Sequence, residues 1–319
     1  MIGFVLLGLR ATCAKRIVTL VGVGYLTPMV VSVILAMTGQ MSSENSWFFS
    51  VNRAIGSYGN ANSFAAVILI VFPLYMQLTA EGESYFEKKI GIAGLLCSAV
   101  CLFMTVSFSA WLVLAVILIL NFAYLLLSSK HPLRHYRFRA VGWLLFITSI
   151  APLVIMALLK SFPEILEAVN YRLLLDRDED VSMETVGSGA ERIELMHIAA
   201  GELIKRSIVG IFFGHGLGQS LFSPNFNFDG VVVVVHNLPL LISLESGLIA
   251  TILFYLYFLF LVAAIWRTRR DHPLLALTLL NSVLLFLCYT LFNPHFYLRY
   301  FWVPLLPAFV LACNYKKRS

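Results

Sequence analysis

A chain of 319 residues that is 60% hydrophobic and only 13% charged is too apolar for a soluble domain, in which apolar residues make up ~45–50% and charged ones ~25%. Length alone would suggest two soluble domains, but apolar runs recur along the chain that reach the ~20 residues a helix needs to cross hydrocarbon. The net charge of +6 points to no nucleic-acid partner, because the bases sit in short stretches between those runs, and the five cysteines lie in or beside the runs and imply no disulfide framework.

The first 16 residues open with MIGFVLLGLR, which holds about seven apolar residues before Arg10. That is too short to span and has no small-residue cleavage site, so the segment reads as the stump of a helix and not as a leader. Five spanning helices are then expected within 17–159, near 17–37, 62–80, 89–107, 109–128 and 139–159. Three more are expected within 240–319, near 240–266, 272–292 and 297–314, ahead of a basic tail. Lipid offers no partner to a backbone N–H or C=O, so each run has to be helical. The expected fold is all-α, a polytopic transmembrane bundle of about eight spans. Pro28, Pro73, Pro152 and Pro304 fall inside these runs, which membrane helices tolerate when neighbours re-satisfy the freed carbonyls.

Basic residues orient the bundle. Arg10, Lys15 and Arg16, then Lys88 and Lys89, then Lys130, Arg134, Arg137 and Arg139, then Arg267, Arg269 and Arg270, and finally Lys316, Lys317 and Arg318 all fall on one face of an eight-span chain. That face is expected to be cytoplasmic. The long segment 160–239 is then external. It carries eleven of the chain's 17 acids, and a structureless loop of this length is improbable, so it should hold a helix of its own. Ser188 with Glu191 is a capping-box pattern, and Ile193, Met196, Ala200 and Leu203 follow at helical spacing. An interfacial amphipathic helix is expected over about 189–206. The stretch GIFFGHGLGQS after it is broken by Gly210, Gly214, Gly216 and Gly218 and reads as a turn packed close against something.

His236 and Asn237 stand at the external mouth of the sixth helix. A histidine there can serve as general base or can simply be an interfacial side chain. Arg192 lies on the preceding amphipathic helix, Gly214–Gly218 could turn backbone N–H groups toward an anion, and Glu245 sits inside an apolar run, where a carboxylate is costly and is usually functional or paired. The run Asp176–Asp180 has two readings, a divalent-cation site or a solvated acidic turn. His215 and His197 read as a turn residue and a membrane-surface residue.

These residues carry a resemblance. RIELMHIAAGELIKRSIVGIFFGHGLG followed by HNLPLLISLESGLIA resembles the shared domain of O-antigen ligases and O-antigen polymerases. The family's signature of His, Asn, nine residues and Gly is met by His236, Asn237 and Gly247, with Ala250 a departure at the last position. YGNANSFAAVILIVFPL resembles the family's Asn-x-Leu-Ala helix and places Asn62 on its asparagine. The similarity covers about 55–310, and family members usually carry further N-terminal helices. One departure stands out: where the family often has Ser-Arg-Gly before the fourth helix, with an arginine that helps hold pyrophosphate, this chain has Phe108 between Ser107 and Ser109. Arg53 and Arg299 are the external-side replacements, or ordinary interfacial arginines.

The resemblance implies an inner-membrane glycan transferase with its active site on the external, periplasmic side. Its donor would be a glycan on undecaprenyl pyrophosphate, and its acceptor lipid A core or a growing glycan. His236 with Asn237 would be catalytic, and Arg192 would hold the pyrophosphate. Arg53, Arg299, Asn62, Gly214, Gly216 and Glu245 complete the expected substrate-binding set. Apart from membrane lipids no other partner is implied, and neither a cofactor nor a metal is needed. A polymerase using the same donor, a transporter for lipid-linked glycan, and an inactive scaffold are the competing readings.

Overall fold

The computed structural model describes residues 11–38, 49–50, 53–56, 58, 60–127, 189–222, 226–228, 231–232, 235–294 and 299–315. Secondary structure is helical apart from two pairs of two-residue strands. The N-terminal part holds α1 (Ala11–Met37), α2 (Ala61–Glu81), α3 (Tyr85–Met104) and α4 (Phe108–Leu127), with β1 (Phe49–Ser50) antiparallel to β2 (Arg53–Ala54) between α1 and α2. After it come α5 (Gly189–Ile204), the short α6 (Ile208–Phe213), β3 (Asn227–Phe228) antiparallel to β4 (Val231–Val232), α7 (Leu238–Arg267), α8 (Pro273–Thr290) and α9 (Leu306–Tyr315). The expected fifth span at 139–159, the pattern at Ser188, the run Asp176–Asp180 and the N-terminal stump lie outside the described residues.

Among the described residues, four helices are long and apolar enough to cross a membrane: Cys13–Met37, Ala61–Glu81, Leu238–Arg270 and Pro273–Thr290. Two helices begin several residues before their apolar runs. α1 starts at Ala11 and takes in Lys15 and Arg16, while α3 starts at Tyr85 and takes in Lys88 and Lys89. Hydropathy marks only the lipid-facing length, whereas the amide ladder continues into the basic flank, helped in α3 by a Ser84–Glu87 capping box. The expected span at 297–314 departs more. It breaks into 3₁₀ turns at Arg299–Phe301 and Val303–Leu305 ahead of the ten-residue α9. Pro304 and Pro307 lack the amide hydrogens a continuous helix would need, and their rings obstruct the preceding turn.

The chain divides into two compact units. One comprises Met1–Leu175, Ala263–Phe286 and Tyr300–Ser319, the other Asp176–Val262 and Leu287–Arg299. In the first, α2 and α3 form a tight antiparallel pair because glycines face the neighbouring helix. A β-carbon on Gly94 would lie 2.1 Å from the Tyr75 ring, and one on Gly91 2.5 Å from the Thr79 amide. Small residues at such positions let membrane helices close to backbone contact. The Tyr75 hydroxyl donates to the Gly22 carbonyl at 2.8 Å and ties α1 to the pair. α8 is stitched in by polar bonds: the Thr278 hydroxyl donates to Gln77 Oε1 at 3.1 Å, and Asn121 of α4 and Asn281 of α8 exchange reciprocal amide bonds of 3.0 and 3.1 Å.

Candidate active site

The second unit holds His236 and the residues around it. α5 forms its floor. Leu195 and Ala199, one turn apart, are buried with Phe226, Val235 and Leu244, and Ile198, Leu203 and Leu240 pack against that core. The inward stripe therefore falls on 195, 198, 199 and 203, and Ile193 is 58% exposed, so the face is rotated from the expected 193, 196, 200 and 203. Which face a helix buries is decided by its partners, here Val235 and Leu244, and periodicity alone does not fix it. The consequence for the site is direct. Arg192 lies in the first turn of α5, three residues before Leu195, and Leu195 packs in one core with Val235, the residue before His236. The Arg192 side chain is outside the described residues.

His236 is half-buried. Asn237 is the N-cap of α7: its Oδ1 accepts from the Leu240 amide at 3.0 Å, while its Nδ2 donates to the Leu291 carbonyl at 3.1 Å. The cap satisfies one of the amides that every helix start leaves without a partner, and the second bond ties the start of α7 to the end of α8.

α7 is not one straight rod. Gly247 has φ 85° and ψ 170°, a conformation open to glycine and strained for other residues. The ladder breaks there, and the carbonyls just before it need other donors. They receive them from the segment after α5. The Arg206 guanidinium donates to the Leu244 carbonyl, and the Gly216 amide donates to the Glu245 carbonyl at 2.8 Å. Across the break the Thr251 and Ser243 hydroxyls lie 2.9 Å apart. The two chains meet backbone to backbone: a β-carbon on Gly247 would sit 2.2 Å from the Phe212 carbonyl oxygen, and one on Gly214, itself at φ 72°, would sit 2.2 Å from that of Glu245. The glycine-broken stretch thus does pack closely, and what it packs on is the break in α7. Two of its amides have backbone partners. That of Gly214 bonds Gly210 and that of Gly216 bonds Glu245, because the broken helix presents carbonyls that outrank solvent as acceptors. The Glu245 carboxylate is paired, accepting from the Ser220 hydroxyl at 2.5 Å. His215 and His197 are exposed.

The first unit holds the other motif residues except Arg299, which falls in the second. Asn62 is buried, and its Oδ1 accepts from the Ser107 hydroxyl at 3.1 Å. The asparagine of α2 thus bonds the turn that carries Phe108. That turn is strained at Val106, a β-branched residue at φ 48°. Phe108 opens α4 and sets its ring edge-on to Trp111 at 5.2 Å, so aromatic packing fills the position. Arg53 lies in β2 opposite Ser50, and Arg299 opens a 3₁₀ turn; neither side chain is among the described residues.

Sequence reasoning missed Arg206, Ser220 and the break itself. Gly247 was visible as a signature position, but nothing in an unbroken apolar run marks a helix interruption. Arg206 had no signal beyond its charge.

A family model described as O-antigen ligase matches residues 93–255, just over half of the chain. The match takes in Phe108, Arg192, His236 and Gly247. No curated protein matches the chain.

Proposed function

The chain belongs to the O-antigen ligase family, and from that premise we propose that it transfers a glycan from undecaprenyl pyrophosphate to an acceptor hydroxyl at the external face of the bacterial inner membrane. The observation that carries this reading is the packing of α5 on the His236 segment through Leu195, Ala199 and Val235, which supports a shared site for Arg192 and His236. In the proposed reaction His236 takes the acceptor's hydroxyl proton as its oxygen attacks the anomeric carbon. The bond from that carbon to the pyrophosphate oxygen breaks, undecaprenyl pyrophosphate leaves with the electron pair, and the anomeric centre inverts. Arg192 holds the leaving pyrophosphate through its planar fork. The scheme routes no step through a metal. General-base help contributes ~10²–10⁴-fold, so the remaining acceleration comes from positioning two lipid-anchored substrates.

The test is kinetic. Purified His236→Ala should lose ~10²–10⁴-fold in turnover with donor binding little changed. Arg192→Ala should abolish transfer, and Arg192→Lys should leave a small residue of activity. Transfer at the wild-type rate by His236→Ala would overturn the assignment. The acceptor is read from cells lacking the protein: unlinked long chains mark a ligase, single repeats a polymerase.

A further inference from the structure

We infer that Arg206 is a positioning residue for the proposed transfer, holding the half-helix that carries His236 and Asn237 at the angle the reaction requires. The inference rests on the reading of His236 as general base. Its physical basis is the break at Gly247. The stretch Leu238–Ser246 is a separate helical segment, anchored at its N-terminal end by the Asn237 cap and its bond to Leu291. Its other end is a point where the ladder is interrupted, and an interrupted helix pivots unless something fixes the two halves.

The groups that fix it come from the segment after α5. Arg206 donates to the carbonyl of Leu244 and Gly216 to that of Glu245, while Ser220 holds the Glu245 side chain. Among the described residues no carboxylate pairs with Arg206, so its hydrogen bond to the helix is its visible task. A guanidinium suits this task. It stays charged, reaches across a gap and gives a charge-assisted bond to a carbonyl that would otherwise be orphaned at a membrane edge.

Leverage makes the clamp matter. Nine residues at ~1.5 Å each give a segment of ~13 Å, so a rotation of about 4° at the break displaces its far end by about 1 Å, a misplacement that can cost ~10²-fold in rate. The spacing of nine residues between Asn237 and Gly247 is, on this account, the length of the lever between the reacting group and its clamp.

Arg206→Met, which keeps length and loses the donor, should lower kcat by ~10²-fold with the donor KM changed little, and Arg206→Lys should recover part of the loss. Lys205→Ala, at the exposed neighbour, should behave as wild type. Amide hydrogen exchange across 238–251 in the detergent-solubilised protein gives a readout independent of activity: it should quicken in Arg206→Met, and to a smaller degree in Arg206→Lys, which covers the case where the methionine variant does not fold. Unchanged exchange, wild-type kcat per folded molecule, or a loss confined to KM would each overturn the inference. A His236→Ala protein of full activity would instead remove the reading on which it rests, whatever exchange shows.

Discussion

A β-carbon on Gly247 would meet the Phe212 carbonyl oxygen, and one on Gly214 the Glu245 carbonyl oxygen, each at 2.2 Å. Backbone atoms cannot step aside as a side chain's end can, and both glycines combine positive φ with ψ near 180°, a region nearly closed to other residues that costs them roughly 1–3 kcal/mol before any clash. Gly247→Ala and Gly214→Ala should each lower the melting temperature in detergent. Because both disturb one contact, the double variant should lose less than the sum of the two. Full additivity in that cycle would show that the two glycines do not share a contact. At this scale the sequence was partly legible. His236, Asn237 and Gly247 stood out by spacing, and Glu245 by its place in an apolar run. The bonds of Arg206 and Ser220 were hidden, because they join residues 38 and 25 positions apart and no local pattern encodes them.

Among elements, α7 shows best what hydropathy reads and what it passes over. The apolar run at 240–266 is expected as one span, and α7 is one segment in length, yet it is two helices in conformation. Hydropathy reports burial of side chains in lipid, and glycine is common enough in membrane helices that one more carries no warning. Asn237 defines where the first half begins. Asn237→Ala removes both the cap and the bond to Leu291 and should cost ~0.5–2 kcal/mol of stability. Asn237→Asp keeps the accepting oxygen for the Leu240 amide and loses the donor to Leu291, so its melting temperature should lie between alanine and wild type. A variant in which aspartate melts with alanine would show that the Leu291 bond, not the cap, is the stabilising half. The buried stripe of α5 illustrates the complementary limit: spacing points to 193, 196, 200 and 203, and the face that is buried instead packs on Phe226, Val235 and Leu244.

For the whole molecule, the outward face of α7 is decisive about the medium. Leu253, Leu259 and Phe260 are 60%, 59% and 72% exposed on one helix, and a continuous apolar surface of this kind is rare on a soluble monomer. Composition alone had already required a membrane protein, because 60% apolar residues cannot be hidden in a domain of this size. The basic stretches are expected to set the orientation, and chemical labelling of intact spheroplasts checks it. With the five native cysteines replaced, Ser182→Cys should react with an impermeant thiol reagent in intact spheroplasts. Reaction only after lysis would invert the bundle and move the proposed site to the other side. The division into two units was not legible, since it separates residues by contacts formed after folding and cuts α7 and α8 in mid-element.

The paired asparagines of α4 and α8 bear on how the molecule is made. Asn121 and Asn281 exchange amide bonds across the two helices, 160 residues of chain separate them, and the Asn121 amide also donates to the Ile117 carbonyl of its own helix. At ~5–20 residues per second of synthesis, α4 waits roughly 8–30 s before α8 emerges. A neutral amide in hydrocarbon is costly while it waits, so α4 has reason to linger beside the insertion machinery and not to disperse into lipid. When α8 arrives, a slip of one helical turn would break both bonds between the helices. The two bonds therefore favour one register of the late helix over its neighbours.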